Sequence, residues 1–99
     1  IDLMPHNPLG PICTAATIHM AAAAPNFSWV ETRQSVVENL GFHDPDIFPK
    51  QVQMDGPVYV VPDGPGLGVE VDEDRARSKE SKHVEPPHLR RPDGSVTNW

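Results

Sequence analysis

Pro5-His6-Asn7-Pro8-Leu9-Gly10-Pro11 packs three prolines, a glycine and one imidazole into a short span between two apolar runs. Ile1 to Met4 leads into it, and the alanine-rich run Ile12 to Ala24 leaves it. A residue that precedes proline is pushed towards extended backbone, because the pyrrolidine ring crowds its N–H and Cβ. Met4 therefore ends a strand and Asn7 stays out of a helix. Proline fits the first turn of a helix, where its missing N–H is not needed, so Pro11 reads as a helix start. The order is strand, stiff turn, helix, with His6 at the carboxyl-terminal lip of the strand.

Outward from that turn, Ile1 to Met4 is almost wholly apolar, as in a strand buried on both faces. In the following run, Ile12, Ala16, Met20 and Ala23 share one helical face, with Ala15 and His19 beside it. The alanines allow close approach to a sheet. Pro25-Asn26 stops the helix, and Phe27-Ser28-Trp29-Val30-Glu31 is aromatic and β-branched enough for a second strand. Residues 1–31 thus read as one β–α–β crossover, which requires parallel strands.

His6 and Glu31 fall at the same end of those two strands. Neighbouring strands lie ~4.8 Å apart, so two side chains at that lip can point into one cavity. Parallel α/β folds bind ligands at the carboxyl ends of their strands. An imidazole titrates near neutral pH and suits general-base proton transfer. A carboxyl held in a buried site can act as a hydrogen-bond donor. Each residue also has a plainer reading: His6 as a turn histidine bonded to backbone, Glu31 as a surface glutamate paired with Arg33. Together at one sheet edge they form a better candidate site than either alone.

Composition narrows the classes. The net charge of −6 over 99 residues, with no basic cluster beyond Arg90-Arg91, argues against nucleic acid and anionic membranes as partners. No apolar run approaches the ~20 residues that span a bilayer. The single cysteine, Cys13, excludes an internal disulfide framework and fits a reducing compartment, so a cytoplasmic location is expected. The sequence opens with Ile inside a strand-like run, which suggests a true start further upstream. Twelve prolines, against a usual share of about 5%, demand long irregular segments, and these lie mostly after residue 40.

There, Gln34 to Leu40 reads as a short helix and Gly41 to Lys50 as a loop with turns at Asp44-Pro45 and Phe48-Pro49. Asp55-Gly56-Pro57 is a turn before a short strand, Val58 to Val61. Pro62 to Gly68 is a rigid loop, whose glycines permit positive φ or tight packing. Val69 to Asp72 is briefly extended, and Glu73 to Lys82 is a solvated helix or tail. Asp93-Gly94 is a turn, and Trp99 reads as docked. His43, Asp44 and Asp46 have ligand chemistry, but acidic turn formers explain them more cheaply. Glu70, Asp72, Glu73 and Asp74 read as a solvated face.

The motif Pro5-His6-Asn7-Pro8-Leu9-Gly10-Pro11-Ile12 resembles one near the end of the barrel in sugar-acid dehydratases of the enolase superfamily, in the mandelate racemase subgroup. Pro25-Asn26-Phe27 with Glu31, Pro65 to Glu73, and the ending Pro92 to Val96 with Trp99 extend the likeness in order, most closely to the galactonate-type members. The resemblance implies an α/β fold: residues 1–40 as the C-terminal part of a (β/α)7β TIM-type barrel, and residues 41–99 as an irregular segment returning to an α+β capping domain. It implies a Mg²⁺-dependent hydro-lyase that removes the proton α to a carboxylate and eliminates water to give a 2-keto-3-deoxy acid. His6 matches the general base and Glu31 the donor to the substrate carboxylate. The metal ligands match nothing here and would lie upstream, in a missing N-terminal part that also completes the barrel. A sugar acid is the expected substrate and a homo-oligomer the expected assembly. Trp29-Val30 and Leu89 depart from the pattern and leave the sugar acid open. A racemase or cycloisomerase of the same superfamily, or a non-catalytic interaction fragment, remains the alternative.

Overall fold

Gly10, Pro11 and the alanines beyond them set the first element of the fold. In a computed structural model, which describes residues 1–32, 43–81 and 89–97, helix α1 spans Pro11–Ala23. Pro11 lies in its first turn and extended Gly10 caps it, with Thr14 N–H donating to Gly10 O at 3.1 Å. Ala24 leaves the helix in extended backbone. A turn closed by Phe27 N–H on Ala24 O, at 3.2 Å, then reverses the chain at Pro25-Asn26.

That reversal returns the chain alongside its own start. Leu3 and Phe27 form a parallel bridge. Leu3 N–H donates to Asn26 O at 2.8 Å, Ser28 N–H to Leu3 O at 3.1 Å and Glu31 N–H to Pro5 O at 3.3 Å. The expected β–α–β crossover is therefore present, although its strands are shorter than the sequence reading gave them. Pro5 explains the shortfall: two residues beyond Leu3, it carries no N–H to donate to the next rung of the ladder.

The helix face differs from expectation. Ala15, Ile18 and Ala21 are buried, with Pro11 and Thr17 beside them, while Ile12 and Met20 are 47% and 44% exposed. Because α1 is apolar on nearly every side, periodicity could not choose its packed face. Tertiary contact chooses it: Val52 closes on Ala15 and Ile18, and Tyr59 and Val69 pack against that cluster.

The contacts that bring Val52, Tyr59 and Val69 there come from the irregular half. Strands β1 (Met54–Asp55) and β2 (Val58–Tyr59) form an antiparallel hairpin around Gly56-Pro57, with Gly56 at φ 57°. Lys50 bridges Glu70 in antiparallel fashion, so Val69 to Asp72 is extended as expected. Gly68 has φ 75°, and a Cβ there would lie 2.5 Å from Pro62 Cβ; the Pro62–Gly68 loop needs glycine at its end on both counts. Helix α2 (Glu73–Ser78) is capped by Asp72, whose side chain accepts from Arg75 N–H, and buries none of its residues. Asp44, at φ 22°, turns the chain before Phe48 and accepts from Lys79 Nζ through both oxygens, at 2.8 and 2.6 Å. Strands β3 (Leu89–Arg90) and β4 (Val96–Thr97) pair around Asp93-Gly94.

The expected helix at Gln34 to Leu40, the boundary at residue 40 and the docking of Trp99 lie outside the described residues. Among the described residues, no helix is long and apolar enough to cross a membrane.

Candidate active site

The parallel pairing fixes where the two singled-out side chains go. His6 follows Pro5, whose carbonyl accepts the Glu31 N–H, so both residues leave their segments at the same end. His6 Nε2 lies 3.5 Å from Glu31 Oε2, with the imidazole 80% and the carboxyl 39% exposed. A normal N–H···O bond measures about 2.7–3.2 Å, so the two groups are adjacent without being locked together. The Glu31 carboxyl is half-buried rather than fully buried.

Asn7 completes the arrangement. It is the one fully buried polar side chain of the turn, at 0% exposure. Its backbone N–H donates to Glu31 Oε2 at 2.9 Å. Its side-chain Nδ2 donates to Thr14 Oγ1 at 3.1 Å and to Glu31 O at 3.2 Å. The Glu31 carbonyl can only accept, so the amide nitrogen must face it and Oδ1 must point away, where it is buried without a hydrogen-bond partner. The extended backbone that Pro8 imposes on Asn7 and the helix start at Pro11 set up these contacts. Thr14 lies on the first turns of α1, so one amide ties the turn, the helix and the end of the second extended segment. The sequence reading singled out His6 and Glu31 but not this role for Asn7. An asparagine between two prolines, just ahead of a helix, was the available signal, because such side chains bond nearby backbone.

On the far side of Glu31, the Thr32 and Tyr59 hydroxyls share a hydrogen bond. The hairpin β1–β2 is thereby fastened to the same strand end. Beside it, a cavity of about 410 Å³ is lined by Ile18, Phe27, Trp29, Val58 and Tyr59 among others; it is apolar and does not include His6. His19, on α1, is half-buried with Nε2 enclosed and unpaired, which fits a packed side chain. Cys13 is a free thiol, half-buried on α1. Among the described residues, no group of three or more His, Cys, Asp or Glu could hold a metal ion. The Asp44 carboxylate is taken up by Lys79.

The family model described as Enolase C-terminal domain-like matches residues 1–75. A D-galactonate dehydratase of Cronobacter sakazakii (strain ATCC BAA-894) is 35% identical over 103 aligned residues, covering 100% of this chain and 27% of the relative. A D-mannonate dehydratase of Sphingomonas sp. (strain SKA58) is 34% identical, covering 92% of this chain and 21% of the relative. The chain thus spans about a quarter of the length of the curated relatives it matches. Among solved structures, an enolase provisionally assigned as a galactarate dehydratase from Agrobacterium radiobacter, with bound Na and L-malate, aligns with a TM-score of 0.79 at 30% identity, over 97% of this chain and 27% of that one. A mandelate racemase/muconate lactonizing enzyme from Jannaschia sp. CCS1 aligns with a TM-score of 0.65 at 23% identity, over 85% of this chain and 20% of that one, and shows the fold alone. The β–α–β crossover is accordingly part of a TIM-type barrel.

Proposed function

The chain belongs to the Enolase C-terminal domain-like family, and from that premise we propose that it is the C-terminal portion of a sugar-acid dehydratase in which His6 and Glu31 are catalytic residues. Its similarity to D-galactonate and D-mannonate dehydratases supports an aldonate-type substrate. The L-malate in the Agrobacterium radiobacter structure is itself a hydroxy acid, in keeping with a site that receives a carboxylate beside a hydroxyl-bearing carbon. The observation that carries the reading is the 3.5 Å approach of His6 Nε2 to Glu31 Oε2 at one end of a parallel pair.

The chemistry follows from the two side chains. Removing a proton from the carbon next to a carboxylate places a second negative charge on that carboxylate, which makes the proton very weakly acidic. His6, exposed at the strand end, takes the proton on its imidazole. The electron pair of the broken C–H bond forms the carbon–carbon double bond of an enediolate. Glu31, in its protonated form, donates to the carboxylate oxygen where the charge builds up, and a donor so placed favours the transition state over the bound acid. The C3–O bond then breaks as a C2=C3 double bond forms, the hydroxyl takes a proton from an acid outside this chain and leaves as water, and the resulting enol becomes the 2-keto-3-deoxy acid. The described residues do not form a metal site. The Mg²⁺ that the sequence resemblance implies would be held by residues outside this chain, and no step above passes through it.

The test is made on the full-length protein. Incubation with a panel of aldonic acids is expected to release 2-keto acids from at least one of them. In D₂O, His6→Asn is expected to abolish exchange of the C2 hydrogen, followed by proton NMR. Exchange retained at the parent rate removes His6 from its role.

A further inference from the structure

We propose that Asn7 is a positioning residue that sets the Glu31 carboxyl and thereby decides which of its two oxygens carries the donated proton; this rests on the dehydratase reading above. The backbone N–H of Asn7 can only donate, and it is directed at Glu31 Oε2 at 2.9 Å. The carbonyl oxygen of a carboxylic acid accepts better than its hydroxyl oxygen, so this N–H favours Oε2 as the carbonyl oxygen. The proton of a donating Glu31 therefore belongs on Oε1, and Oε1 is the oxygen that addresses the substrate carboxylate.

The backbone N–H holds this direction only while the turn is fixed, and the Asn7 side chain fixes it. Its amide reaches Thr14 Oγ1 at 3.1 Å and the Glu31 carbonyl at 3.2 Å, so the turn is anchored both to α1 and to the residue whose carboxyl it orients. Full burial at 0% exposure leaves the amide no competing water and keeps it out of reach of a substrate. Asn7 thus acts through Glu31 rather than on the substrate. His6 is its immediate chain neighbour, so the same anchor also sets the spacing between base and donor.

The experiment uses the full-length protein with Asn7→Ala, and Thr14→Val with Thr14→Ser as a pair that changes one hydrogen bond at near-constant volume. Two readouts are taken: steady-state kinetics on the aldonic acid that the parent turns over, and the ¹³C resonance of the Glu31 side-chain carboxyl. Misplacement by about 1 Å can cost on the order of 100-fold in rate. Asn7→Ala is expected to lower kcat by about that factor, with KM within about threefold, the signature of an interaction made in the transition state. Thr14→Val is expected to lower kcat by about tenfold and Thr14→Ser to restore it. The Glu31 resonance should move in Asn7→Ala and Thr14→Val and return in Thr14→Ser. A resonance unchanged in a folded Thr14→Val protein overturns the positioning role, whatever the activity. A parent that turns over no aldonic acid, with the resonance moving as expected, overturns the dehydratase reading and leaves the anchoring of Glu31 intact. Melting temperature alone falling, with kcat and resonance unchanged, reduces Asn7 to a packing residue and also overturns the role.

Discussion

At the residue scale, the decisive contact is between groups 24 positions apart along the chain, the Asn7 N–H and Glu31 Oε2. This one bond engages one of the two Glu31 carboxyl oxygens, Oε2, and a substitution at Glu31 can separate accepting from donating. Glutamine keeps a carbonyl oxygen to accept from Asn7 and an amide to donate towards substrate, provided the amide takes that orientation. Alanine keeps neither. Loss of one donor of this kind costs about 10²–10³ in kcat, so Glu31→Ala in the full-length enzyme is expected to fall in that range. Glu31→Gln is expected to retain more activity, with kcat measured on the same aldonic acid; equal losses would show that Glu31 contributes by its charge alone. His6 and Glu31 could be placed together from the sequence because prolines and a short crossover leave few ways to arrange them. Asn7 could not, because its partners are a helix hydroxyl and backbone groups that become neighbours only once the crossover has closed.

At the element scale, the turn-forming residues were more legible than the packing faces. Pro11 starting α1, Pro25-Asn26 ending it, Asp55-Gly56-Pro57 and Asp93-Gly94 each act through local backbone geometry, and each is found at its turn. The face of α1 was not legible, since Ala15 and Ile18 differ from Ile12 and Met20 only in what covers them. The same limit applies to long-range ion pairs. Asp44 and Lys79 are 35 residues apart, and they tie the turn ahead of Phe48 to the end of α2. The Lys79 hydrogen bond, helped by its charge and opposed by desolvation, holds the Asp44 carboxyl below its ordinary 3.8. A depressed carboxylate stabilises the fold fully above its unfolded-state value, and that contribution is lost as pH falls through the lower folded value. With Asp44 and Lys79 at 19% and 44% exposure, the pair contributes about 0.2–1 kcal/mol. Replacing Lys79 with alanine is expected to raise the Asp44 titration midpoint towards 3.8, read by ¹³C NMR of the carboxyl. It should also lower stability at neutral pH but not below the Asp44 midpoint.

At the scale of the whole molecule, the question is whether these elements suffice to hold one another. A TIM-type barrel closes eight strands so that none is left with an open edge. Among the described residues, parallel pairing is confined to the segments around Leu3 and Phe27. Among the described residues, Ala15, Ile18, Ala21 and Val52 are buried, with Pro11 beside them, while Trp29, Met4 and Leu9 are 72%, 63% and 59% exposed. Burial of an apolar side chain contributes about 1.5–3 kcal/mol for a large residue, whereas ordering the backbone costs about 1–2 kcal/mol per residue. Large apolar side chains left exposed, Trp29, Met4 and Leu9 among them, therefore contribute little of that burial. The 99-residue chain alone is expected to show no dehydratase activity and to lose its helical circular dichroism gradually on heating. The full-length protein should melt in one sharp transition, because the exposed faces of α1 and of the Phe27–Glu31 segment then have neighbours. A reversible, cooperative melt of the isolated chain would mean that its own contacts close the core, and the case for an incomplete barrel would fail with it.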